Sequence, residues 1–249
     1  MNSTAGLIGL VLVLLAAGLL LGLTFIRRKS SPIFRDISAF TRLKRSIGIS
    51  VEAGTRLHVS LGHGGLQTPD AAPGLAGLAM LRHLTEQTSA SDKPPVVSSG
   101  AADLAILSGD TLQAGYKAAG AEELYDPATG RLTGLTPFSF AAGAIPLMKD
   151  EDVSANILIG HFGPEVALLT DTAERSNSPA VAAAVDPAAQ AVIYASVDDP
   201  LIGEELFAAG AYSNAGIAHQ ASLQVQDILR WAIILALLGG SALKLLGII

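Results

Sequence analysis

An α/β fold with a Rossmann-like, mainly parallel sheet, flanked by N- and C-terminal transmembrane helices, is the architecture this 249-residue sequence predicts. Three observations carry it. The chain opens and closes on long apolar segments. Its middle alternates short apolar runs ending in glycine with longer helical patterns, the signature of parallel βαβ units. And one turn occurs twice, LGHGG at 61–65 and IGHFG at 159–163, with histidines 98 residues apart.

The first apolar segment, residues 5–26, has 22 residues and no charge. At about 1.5 Å per residue it spans roughly 33 Å, enough for a hydrocarbon core of about 30 Å. A cleaved signal peptide would want basic residues ahead of the run, whereas Arg27, Arg28 and Lys29 follow it. Residues 1–29 therefore read as an uncleaved anchor with a basic flank. The second segment, 227–249, starts with Arg230 and Trp231, a fitting interfacial pair, and Lys244 is near enough to its end to snorkel. A buried or oligomer-forming helix is the alternative reading of that segment.

Seven of the sixteen Lys and Arg fall within residues 27–45, against one acid, Asp36. The positive-inside rule then puts the central domain in the cytoplasm, both termini outside, and the protein in the cell inner membrane. Zero cysteines are consistent with a domain that needs no disulfides. Residues 30–50 form a basic collar in which Ile33, Ile37, Phe40 and Ile47 share one helical face. Such a helix either lies on anionic lipid or packs on its own domain, and the sequence supports both.

Beyond the collar the sign reverses. Residues 51–226 hold twenty acids against seven bases, a net charge of −13. That argues against nucleic acid as a partner. Within this domain the expected strands are 56–62, 94–100, 155–160 and 190–196, with helices over 71–87, 101–120, 163–176 and 198–212. A second rhyme, ILSGDTLQAGY at 106–116 with LIGEELFAAGAY at 201–212, aligns Gly109 with Gly203. Two motifs in the same order at nearly the same spacing predict an internal duplication. The two βαβα halves are about 51–150 and 151–226.

Such a fold leaves a crevice at the carboxyl ends of its strands, where glycine turns admit a ligand and helix N-termini favour anions. The candidate ligand-binding residues are Gly62, His63, Gly64 and Gly65 in the first turn, and Gly160, His161 and Gly163 in the second. Ser98 and Ser99 follow the second strand, and Asp198 and Asp199 follow the fourth. The plain structural reading is that the glycines only make tight turns and the histidines pack locally. The acids of DDP at 198–200 would cap the next helix.

No G-x-x-x-x-G-K-[ST] occurs; GHGGL lacks the third glycine of a dinucleotide fingerprint; no G-x-S-x-G elbow exists. Neither turn histidine has a second ligand at H-x-x-x-H spacing, so no metal site and no catalytic residue is assigned, and the cofactor stays unknown. The segments SPIFRDISAFTRLKRSIGISVEAGTRLHVSLGHGG and LIGEELFAAGAY resemble a prokaryotic membrane-protein family known as a domain of unknown function, from about Arg35 to the second anchor. The resemblance implies membrane attachment with a cytoplasmic α/β domain and carries over no active-site residues. The expected function is a membrane-anchored, non-enzymatic scaffold that meets the bilayer and either its own copies or other membrane proteins. The alternative is a sensor or transporter accessory that binds a nucleotide or another small ligand in the crevice.

Overall fold

The computed structural model describes residues 3–28, 34–89, 91, 93–213 and 216–246. It divides into a helical unit, 1–34 with 216–249, and an α/β unit, 35–215. The helical unit consists of α1 (Ser3–Arg27) and a last helix, Ile217–Leu245, which pack on each other. Arg27 Nε donates to Gln224 Oε1 across the pair at 2.9 Å. Both helices are long and apolar enough to cross a membrane, with mean hydropathies of 2.7 and 1.7. Their outward apolar side chains, such as Leu21 and Trp231, stay exposed, as helices facing hydrocarbon require. The last helix starts at Ile217, ahead of the apolar stretch that begins near Ile228.

The α/β unit opens with α2 (Ser38–Ala53), which is the collar. Phe40, Leu43 and Ile47 are buried in the core, so this helix packs on its own domain. Ile33 lies outside the described residues. The chain continues through β1 (Arg56–Gly62), α3 (Ala71–Thr88), β2 (Val96–Ser99), α4 (Ala102–Ala118), β3 (Gly130–Leu132) and α5 (Pro137–Asp150). It goes on through β4 (Val153–His161), α6 (Val166–Arg175), β5 (Ala180–Ala183), α7 (Pro187–Ser196) and α8 (Glu205–Tyr212). The closing helix of the other unit is α9.

All strand pairs are parallel, and the sheet order is β3-β2-β1-β4-β5. Leu57, Val59 and Leu61 point to a core shared with α2, α3, α4 and α8. Leu158 and Ala182 point to a second core built with α5, α6 and α7. A parallel sheet covered on both faces explains why these strands read as near-continuous apolar runs.

One expected strand is wrong. Residues 190–196 are helical, inside α7. Asp186 accepts from the amides of Ala188 and Ala189, and Pro187 stands in the first turn, so a strong start signal outweighs the β-branched residues of AVIY. The actual strand is AVAA at 180–183, whose alanines have little intrinsic strand preference and are held by burial against β4. Besides β5, the sequence pattern leaves β3 and α5 unassigned. The start of α5 carries a capping box, Thr136 with Ser139, ahead of an apolar run. The second rhyme also separates: Gly109 lies inside α4, whereas Gly203 sits at φ 65° in the turn ahead of α8.

Candidate functional site

The two Gly-His turns meet at the carboxyl edge of adjacent central strands, where Gly62 of β1 pairs with His161 of β4. This is the switch point of the sheet, since the chain runs outward to β3 on one side and to β5 on the other. Close backbone approach is what the glycines supply. Gly62 has φ 70°, and a Cβ there would overlap the His161 carbonyl; a Cβ on Gly160 would overlap the Leu61 carbonyl.

His63 donates its amide to His161 O at 2.9 Å, and the two imidazoles stand edge to face with centroids 4.9 Å apart. Nε2 of His63 lies 2.9 Å from Oε1 of Glu165, whose side chain is buried. The contact lacks hydrogen-bond alignment, so Nε2 is a buried polar atom close to a charge without a formed bond. His161 Nδ1 is also buried without a hydrogen bond, 3.8 Å from Asp70 Oδ1. The hydroxyl of Ser99, at the end of β2, is a third such atom.

Several of the amides that would cradle an anion are already engaged. Gly163 N–H donates to Glu165 Oε1 at 2.7 Å. Leu66 N–H donates to Asp103 Oδ2 at 2.7 Å, and Leu104 N–H to the other oxygen of the same carboxylate. Gly100 N–H is taken by Gly62 O at 2.7 Å. Two of the protein's own carboxylates thus occupy the positions a phosphate would take at helix N-termini. Sequence reasoning missed Glu165, Asp103 and Asp70. The signal for the first two is present, because acids near the start of a helix are favoured by the dipole. Among the described residues no group of three or more His, Cys, Asp or Glu could hold a metal ion.

The remaining candidates lie elsewhere. Ser98 belongs to a buried polar chain that crosses the three central strands. Asn156 Nδ2 lies 3.3 Å from the Ser178 carbonyl, which only accepts, so the amide must present Oδ1 to His58. His58 Nδ1 therefore carries the proton and donates to Asn156 Oδ1 at 2.9 Å, while Nε2 accepts from Ser98 Oγ at 2.8 Å. Ser60 Oγ completes the chain, 3.0 Å from Ser98 Oγ. Full burial pushes the His58 pKa down to about 4, its bond to Asn156 opposing only part of that shift.

Asp198 and Asp199 are not helix caps and are held by the collar. Arg42 Nη1 lies 3.3 Å from Asp198 Oδ2, Arg42 Nε 2.5 Å from Asp199 Oδ2, and Ser38 Oγ donates to Asp199 Oδ1 at 2.7 Å. The amide of Ile202, ahead of α8, is taken instead by Glu205 Oε2 at 3.2 Å. Glu205 also pairs with Arg35, whose carbonyl accepts from the Tyr212 hydroxyl.

The family model described as a domain of unknown function, DUF6754, matches residues 2–249, and the chain belongs to that family. No curated protein and no solved structure matches it.

Proposed function

We propose that this member of the family is a membrane-anchored, self-assembling scaffold whose α/β unit lies in the cytoplasm of a prokaryotic cell, with both termini outside. The two terminal helices support the anchoring, and the basic run over 27–45 supports the orientation. The repeated turn at one sheet edge supports descent of β1–α3–β2 and β4–α6–β5 from one duplicated unit.

The observation that carries assembly is the outer edge of the sheet. β3 is three residues long and pairs only with β2 among the described residues. Leu132 at its end and Leu135 and Phe138 just beyond it are 45, 73 and 66% exposed. So short a strand offers few backbone groups for pairing, and it is the exposed apolar side chains along this edge that mark a surface for a second chain. The crevice supports the nucleotide reading less well, because Glu165 and Asp103 already fill its anion positions.

The absence of native cysteines makes a direct test clean. A Leu135→Cys variant, oxidised in native membranes, should yield a disulfide-linked dimer, and in intact cells its thiol should resist an impermeant maleimide. A monomer that never cross-links would overturn assembly, and labelling from outside would overturn the orientation.

A further inference from the structure

We propose that the cavity beneath α2 binds a zwitterionic small molecule of the amino-acid class. The cavity has a volume of about 590 Å³, within the range of roughly 300–1,000 Å³ typical of small-molecule sites. It is separate from the histidine turns and goes beyond the scaffold reading.

Its floor is apolar, formed by Leu43, Ala155, Ala173 and Val181. Its walls carry opposite charges. α2 contributes Arg42 and Arg45, α6 contributes Glu174, and the loop after α7 contributes Asp198 and Asp199. Arg42 is neutralised by those two aspartates. That leaves one cation, Arg45, and one carboxylate, Glu174, facing the space without an ion-pair partner among the described residues. Ser178, buried at the lip, accepts from Asn156 Nδ2 at 2.8 Å, and its own proton has no acceptor among the described residues.

These groups fit a molecule with both charges. A ligand carboxylate takes Arg45 and the Ser178 hydroxyl, a ligand ammonium takes Glu174, and a hydrocarbon side chain covers the floor. The acidic body, net −13 over 51–226, discourages a bare anion, whereas a zwitterion brings no net charge.

The test is thermal unfolding of the full chain in mild detergent with each of the twenty common amino acids, and with acetate and methylamine as half-charged controls. At least one amino acid should raise Tm by roughly 5–10 °C at about a hundred times its Kd. The controls should not. Arg45→Ala and Glu174→Gln should each weaken that ligand about tenfold while leaving the unliganded Tm within about 2 °C, since both side chains are exposed. No shift with any amino acid would overturn the proposal. So would a shift that acetate reproduces, or one that survives both substitutions unchanged. The Leu135 cross-link does not report on this cavity, so the two readings fail separately.

Discussion

Acid should destabilise this protein through a single buried imidazole. His58 is fully buried between β2 and β4, neutral, and donates through Nδ1 to Asn156. Its pKa is about 4 in the fold against 6.5 in the unfolded chain. Between those two values the unfolded chain binds one more proton than the folded one, so stability falls as pH falls. At about 1.4 kcal/mol per pH unit, the loss from pH 6.5 to 4 is about 3 kcal/mol, and it levels off below that, where the folded state also takes the proton. The measurement is urea unfolding of the full chain in mild detergent, followed by circular dichroism across that range, for the wild type and His58→Gln. Glutamine keeps a donor and an acceptor but cannot titrate, so the difference between the two slopes isolates His58 from the other histidines. Identical slopes, or an imidazole that titrates near its ordinary value by NMR, would refute the reasoning.

Gly160→Ala should cost about 3 kcal/mol or more in the same assay, because its methyl group has to displace the Leu61 carbonyl and part β1 from β4. A cost under about 1 kcal/mol would mean the two strands separate easily there. Glu165→Ala should cost about 1–2 kcal/mol by leaving the half-buried Gly163 amide without its acceptor, whereas Glu165→Gln, which retains an oxygen, should cost less. Equal losses from the two variants would show that charge, not the hydrogen bond, holds the turn.

Much of the fold is legible in the residues because the relevant signals are local. β1, α3, β2, α4, β4 and α6 stand where glycine-bounded apolar runs and 3.6-residue periodicity put them. The turns LGHGG and IGHFG announce their shared edge because parallel crossovers bring every strand-to-helix turn to one end of the sheet. Local signals also mislead where two compete. In DPAAQAVIYAS the Asp-Pro start and the β-branched run point in different directions, and only the packing of AVAA beside β4 settles which segment is the strand.

Sequence by itself determined the apolar ends, the basic collar, the acidic body and the α/β alternation, because composition and periodicity are properties of contiguous residues. Tertiary structure decided what each polar residue is for. It placed Ser98 in the His58 chain, turned Asp198 and Asp199 from caps into partners of Arg42, and set the Asp103 and Glu165 carboxylates where a phosphate would bind. It also buried the Phe40–Leu43–Ile47 face of the collar against the sheet's own core, when the same face could have met lipid. Those outcomes depend on distances between residues far apart in the chain, and a one-dimensional pattern carries no distance beyond its own period.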